Sequence, residues 1–233
     1  MRPVLARLTE VADILEQHDI DAVFVGGAVL PLLVDELVRA ELRPTLDIDV
    51  VVRADSYSAY QSLCQPLLRA GFTPGGGEHD PMCRYRRDDL TVDVMPVPFE
   101  GVGTDNPWFS EAMVSREHVD IRPGHPVAIA APPVYLATKV AAFRGRGKAD
   151  YFGSKDIEDI VALLDGRPGL PQEVRTSSPA IRRFLVAWAK DLLEVPYIED
   201  TLSGHLARGA GPGREAILMD RLRELAGLED DRP

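Results

Sequence analysis

The residues with the clearest chemical potential are Asp47, Asp49 and Asp93. Asp47 and Asp49 are one residue apart in LDIDVVV (46–52), a run that alternates and then turns apolar. This reads as a strand, and alternation points both carboxylates to one face while Ile48 and Val50 point to the other. Two carboxylates on a buried strand are costly, because each charge is desolvated beside a like charge. A divalent cation removes that cost. Mg²⁺, or Mn²⁺ in its place, prefers oxygen ligands and commonly takes one or two carboxylates together with substrate phosphates. Asp93 lies in a second apolar run, LTVDVMP (90–96). If the two strands are neighbours, three acids converge. Such a set can hold two metal ions, one activating an attacking hydroxyl and one bridging nucleotide phosphates. A lone Asp-x-Asp is more often a solvated edge or a fragment of a calcium loop, so the surroundings must decide.

Upstream, AVFV (22–25) reads as a short buried strand that stops at Gly26-Gly27. A helix is predicted from 28 to about 41, with Pro31 tolerated in its first turn. Glycines between a strand and a helix N-terminus let the backbone approach a phosphate, and the helix end favours anions. Arg43-Pro44-Thr45 ends that helix just before the acids. The ordered set of Gly-Gly, helix, Arg-x-Thr, Asp-x-Asp and a later strand Asp is far more specific than any member alone.

The pattern FVGGAVL…RPTLDIDVVV…TVDVMP, over roughly 20–97, resembles the nucleotidyltransferase superfamily that shares the DNA polymerase β catalytic fold. The resemblance implies that Gly26 and Gly27 bind the nucleotide triphosphate, that Asp47, Asp49 and Asp93 bind the metals, and that Arg43 and Thr45 support the substrate phosphates. The twenty positions from Gly27 to Asp47 are longer than in compact members, which fits one longer helix.

The elements that must position these residues follow from periodicity. Val4, Leu5, Leu8, Val11, Ala12 and Leu15 repeat at helical spacing. A helix is predicted over 56–70, with Pro66 awkward inside it and Gly71 closing it. PGGGEHD (74–80) reads as a flexible loop, and MCRYR (82–86) with LTVDVMP as a hairpin around Arg87-Asp88-Asp89. A further strand is expected near 118–121. Helices follow over 133–144, from a Ser154 cap to about Leu164, and over about 178–193 and 213–227. GRPGLP (166–171) reads as a linker, Gly204 to Gly213 as a break, and 229–233 as a frayed tail. The expected class is α/β (α+β): a mixed twisted sheet with a helical C-terminal region. The expected division is a catalytic domain, 1–125, and a helical region, 126–233, that completes the active site.

On the helix after Pro133, Lys139 lies within the stripe of Tyr135, Leu136, Val140 and Phe143, so it needs a partner or a polar site. Asp156, Ile160 and Leu164 fall at steps of four on the next helix. A structural Lys139–Asp156 ion pair and an active-site role, with Lys139 against the triphosphate, both fit. The stretch PPVYLATKVAAFRGRGKADYFGSKDIEDIVALL resembles the Lys…Asp segment of AbiEii-like nucleotidyltransferase toxins of type IV toxin–antitoxin systems. That resemblance implies catalytic roles for Lys139 and Asp156, a tRNA acceptor and a cognate antitoxin. Arg144, Arg146, Lys148 and Lys155 form one basic group, and Arg84, Arg86 and Arg87 another. Either is a solvated surface or a local patch for nucleotide phosphates or RNA.

The chain has 233 residues, 45% of them hydrophobic, enough for a sizeable core. Its 37 acidic and 26 basic side chains leave a formal charge of -11, which weighs against a passive nucleic-acid binder. Cys64 and Cys83 are the only cysteines and fit no metal spacing. His18, His79, His118, His125 and His205 show no metal-ligand spacing either. The N-terminus lacks the apolar block of a signal peptide, and no run approaches the roughly 18 to 20 apolar residues of a membrane span, so a cytoplasmic protein is expected. The expected reaction transfers a nucleoside monophosphate from an NTP such as ATP to an acceptor hydroxyl, with Asp93 as ligand and candidate base. The expected acceptor is the tRNA 3′ end. The alternatives are a small molecule of the aminoglycoside kind and a catalytically idle nucleotide-binding or antitoxin-like module.

Overall fold

A computed structural model describes residues 2–77, 80–99, 106–146, 149–206 and 213–228. Lys148, the histidine at 79 and the tail at 229–233 lie outside the described residues. The chain divides into two compact units. The first runs to Leu32 and resumes over Arg43–Ala131; the second takes Leu33–Leu42 and the residues from Pro132 onward. The 125/126 division drawn from sequence differs because the strand that ends at Ala130 belongs to the sheet, while Leu33–Leu42 belongs with the helices.

The first unit carries a seven-stranded mixed sheet in the order β3-β4-β5-β2-β1-β7-β6. The strands are β1 Ala22–Val25, β2 Asp47–Val52, β3 Thr73–Pro74, β4 Arg84–Arg87, β5 Leu90–Pro96, β6 Arg116–Arg122 and β7 His125–Ala130. β2 pairs parallel with β5, and β1 with β7; the other neighbours are antiparallel. Ile48, Val50, Val92 and Val94 point to one side and are buried. Helices α1 (Arg2–Glu16) and α4 (Tyr57–Arg69) add Leu8, Val11, Leu15, Cys64 and Leu67 to the core. Ser56 caps α4 by accepting from the Ala59 N–H, and the helix continues through Pro66 into its last turn. Tyr60 on α4 donates its hydroxyl to the Val94 carbonyl at 2.8 Å, tying helix to strand. Burial disfavours the charged forms of Tyr60 and Cys64 and pushes both pKa values up, so both stay neutral. α5 (Phe109–Val114) and β3 were not legible in the sequence, being six and two residues long.

The single helix expected over 28–41 is two: α2 Leu30–Leu33 and α3 Glu36–Glu41. Asp35 breaks it. Its carboxylate accepts from the Val38 N–H at 3.0 Å, an N-cap, and its own N–H donates to the Gly166 carbonyl at 2.9 Å. A Cβ on Gly166 would meet Val34 and Val38 at 2.7 and 2.9 Å, so only glycine lets this segment lie so close.

The second unit otherwise consists of helices α6 Pro132–Arg146, α7 Lys155–Gly166, α8 Leu170–Thr176, α9 Pro179–Leu193, α10 Ile198–Ser203 and α11 Arg214–Gly227. The linker expected at 166–171 is instead a tight joint between α7 and α8. Arg167 fixes it, donating to the Leu33 carbonyl at 2.9 Å and pairing with Glu173 at 2.8 Å. Arg214 joins Glu41 at 2.8 Å and also pairs with the buried Asp165. Among the described residues, no helix is long and apolar enough to cross a membrane.

Candidate active site

The acidic residues of the first unit meet through strand register. Parallel pairing sets Asp49 of β2 directly beside Asp93 of β5, and Asp47 lies two residues upstream on the same face. Neighbouring strands are about 4.8 Å apart, so Asp49 and Asp93 are nearest neighbours across the ladder. On its other side β2 pairs with β1, where Asp49 faces Val25, the residue before Gly26. Gly26 has φ +69°, a conformation that favours glycine, and a Cβ there would lie 1.8 Å from Asp49 Oδ2. The Asp49 carboxylate therefore rests against the bare backbone of the glycine turn.

Two expectations about the surroundings change. First, no long helix starts at the glycines. Residues 27–29 form a turn, and α2 has only four residues. The turn offers close backbone approach but not the dipole of a full helix. Second, the group Arg84, Arg86 and Arg87 is not an open basic patch. Arg84 forks onto Asp93, with Nε 2.8 Å from Oδ1 and Nη2 2.6 Å from Oδ2. Arg86 forks onto Asp80, and Arg87 pairs with Glu10 while lying over the Phe72 ring. Asp93 also raises the Arg84 guanidinium, and Arg86 holds the Asp80 carboxyl well below the usual carboxylate range.

Asp93 is 8% exposed, Asp49 is half-buried and Asp47 is exposed. Arg43 and Thr45 are half-buried in the extended segment leading into β2. Oxygen donors of this kind suit Mg²⁺ or Mn²⁺. Asp47 and Asp49 share a strand face that could hold such an ion, and no side chain at position 26 crowds Asp49. Both oxygens of Asp93 already accept from Arg84. Cys83, next to Arg84, has its thiol pushed up to about 11, by burial first and then by Asp93 and Asp49.

In the second unit, Lys139 and Asp156 are neighbours, with Nζ 3.7 Å from Oδ1. The nearer partner is Asp159, at 2.6 Å, which the sequence reading missed. Asp159 lies three residues after Asp156, hence on the same helical face, and that spacing was a usable signal. Arg146 completes the cluster by donating to both oxygens of Asp156 at 3.1 and 3.0 Å. Lys139, Asp156 and Asp159 are 8%, 5% and 3% exposed. In the second basic group, Arg144 pairs with Asp191 at 2.9 Å and Arg146 with Asp156.

Arg84 as the partner of Asp93 was also missed, although the hairpin encodes it. Arg87 pairs with Leu90 across the two-residue turn Asp88-Asp89, where Asp88 has φ +53°. Counting back from that pair sets Arg84 opposite Asp93. Among the described residues, the group whose ligand atoms come within 4.8 Å of one another is Asp13, Glu16 and His125. Asp13 and Glu16 are one helical turn apart, but His125 is distant in sequence, so no spacing rule could find the group. Arg122 already occupies the group, donating to Asp13 at 2.7 Å and lying 3.1 Å from His125 Nδ1.

No protein-family model matches this sequence, and no curated protein matches it. Among solved structures, it is similar to an antigenic nucleotidyltransferase-like protein from Paracoccidioides brasiliensis, with a TM-score of 0.55 and 20% identity over 86% of this chain and 92% of that one. The chain has a nucleotidyltransferase-like fold. At this identity the likeness concerns the fold, so the chemistry must be argued from the chain's own acidic face.

Proposed function

We propose that this protein is a metal-dependent nucleotidyltransferase. The observation that carries the proposal is the β1–β2–β5 register, which gathers Asp47, Asp49 and Asp93 on one face beside the Gly26-Gly27 turn. In the proposed reaction, an acceptor hydroxyl oxygen bonds to the α-phosphorus of an NTP. The bond from that phosphorus to the bridging oxygen breaks, pyrophosphate leaves, and the hydroxyl proton is lost. Asp47 and Asp49 would hold Mg²⁺, and Asp93 would complete the acidic face. When bound, the ion would supply charge neutralisation at the phosphates and ease loss of the hydroxyl proton to solvent. Gly26 and Gly27 would admit the triphosphate to bare backbone, with Arg43 and Thr45 supporting its oxygens. Positioning and electrostatics carry most of the catalysis in such sites.

The acceptor implied by the α6–α7 resemblance is the tRNA 3′ end, with a cognate antitoxin as partner. The same resemblance implies catalytic roles for Lys139 and Asp156. A second reading, a small cationic acceptor of the aminoglycoside kind, is favoured by one observation. The arginines that would line an RNA groove are paired with Asp80, Asp93, Glu10, Asp156 and Asp191. Labelled NTPs, Mg²⁺ and either a tRNA pool or an aminoglycoside panel separate the two. The expected result is label on one acceptor class with pyrophosphate release, lost in Asp49→Ala. No transfer, with no binding of metal or NTP, would leave an idle module and sink the enzyme reading.

A further inference from the structure

A second group of metal-ligating side chains lies away from the acidic face. The ligand atoms of Asp13, Glu16 and His125 come within 4.8 Å of one another. Asp13 and Glu16 share the last turn of α1, which carries no basic residue. Two acids there repel each other and meet the negative end of the helix dipole, so the position favours a cation. His125 arrives by the β6–β7 hairpin. Arg122 and His125 are partners across the two-residue turn Pro123-Gly124, and Gly124 has φ +76°. Proline first and a positive-φ glycine second suit a type II turn, so the hairpin tip is set by its own sequence.

Arg122 is the cation present. It donates to both oxygens of Asp13, at 3.2 and 2.7 Å, and its Nη2 lies 3.1 Å from His125 Nδ1. The fit is imperfect. These bonds leave Glu16 out, and Arg122 Nε is buried with no acceptor among the described residues, a costly state for a donor. Two carboxylates and an imidazole are a donor set suited to Zn²⁺, with water completing the coordination. Ligand atoms around such an ion stand roughly 3.4 Å apart. Rotation of the exposed Glu16 and His125 side chains closes the gap from 4.8 Å. The Arg122 side chain is 40% exposed and can turn into solvent.

We propose that Asp13, Glu16 and His125 bind a zinc-class divalent ion in exchange for Arg122, tying the β6–β7 hairpin to α1. β1 and β7 run parallel with Phe24 beside Ile129, so His125 is level with the start of β1, whereas Asp49 faces Val25 at its end. The site is therefore separate from the acidic face and does not depend on the nucleotidyltransferase reading. The imidazole also sets the two apart chemically, since Mg²⁺ prefers oxygen and Zn²⁺ takes nitrogen.

The test is Zn²⁺ titration of the full chain by calorimetry in excess Mg²⁺, with the histidine side chains followed by NMR. Wild type should bind Zn²⁺ with a shift of the His125 ring signals, assigned by their loss in His125→Gln, and with a raised melting temperature. His125→Gln and Glu16→Gln each remove a ligand at an exposed position. Each should weaken binding by at least the ~10–100-fold seen for lesser perturbations of metal sites. Arg122→Gln should tighten it roughly fivefold, the effect of removing a unit charge about 4 Å away in water. Asp49→Asn should leave it unchanged. No Zn²⁺ binding, no shift at His125, unaltered affinity in either ligand variant, weaker binding in Arg122→Gln, or loss in Asp49→Asn would each overturn the proposal.

Discussion

Two clusters of carboxylates differ in burial and in placement. On the sheet, Asp47, Asp49 and Asp93 share one face, with Arg84 forked onto Asp93. In the helices, Asp156 and Asp159 face Lys139 and Arg146, one cation for each acid. Metal and phosphate chemistry is expected on the sheet, where the three acids lie beside the Gly26 turn, and the deeply buried helical cluster is expected to act first on stability. The same amino acids serve both, so burial and placement separate a candidate reaction centre from a structural tie.

The sharpest way to break this contrast is Asp49→Asn. It should reduce nucleotidyl transfer by at least ~10³-fold, the scale of losing a key electrostatic group, with the melting temperature little changed. Full transfer in that variant would end the assignment of the sheet site. Lys139→Met should do the reverse. Leaving Asp156 and Asp159 buried with one cation fewer should cost about 3 kcal/mol in urea unfolding. A large loss of kcat at unchanged stability would instead give Lys139 the triphosphate role. Gly26→Ala should be milder, at about 1–2 kcal/mol of backbone strain, and should weaken Mn²⁺ binding because the new Cβ displaces Asp49. Unaltered Mn²⁺ affinity would show that Asp49 does not need the glycine turn.

The smallest effect is a pH dependence. Cys83 ionises near 11 in the fold, above its ordinary 9.0. Because the folded value is raised, its contribution to stability is present below about 9 and lost as pH rises through about 11. Alkylation of Cys83, measured against Cys83→Ser, should follow the same midpoint. Mg²⁺ should lower it, because the ion offsets the field of Asp49 and Asp93. An unmoved midpoint would argue that no ion binds beside those acids.

Much of the sheet was legible because its signals are local. AVFV, LDIDVVV and LTVDVMP show strand patterning, and the Gly26 turn and the Asp88-Asp89 hairpin are short-range features. The helices α6, α7, α9 and α11 were long enough for their period to show. The break at Asp35 was less visible, because capping by a single aspartate competes with an otherwise helical pattern. α10 spans six residues, too few for a helical period to emerge. The joint at Arg167 looked like a linker because Gly and Pro usually mark loops, and only its contacts reveal it as fixed.

By itself, the sequence determined which acids share a strand face and which glycines can take a turn, since both follow from one to four residues of local geometry. It also held, in the hairpin count, the pairing of Arg84 with Asp93. Tertiary structure alone decided that β2 and β5 are neighbours, which brings Asp49 beside Asp93 from forty-odd residues away. It likewise decided that Lys139 meets Asp159 more closely than Asp156, and that Arg122 occupies the Asp13–Glu16–His125 group. The physical reason is the same in each instance. Backbone periodicity sets where a side chain points, but the charge balance around it depends on which distant segments pack alongside.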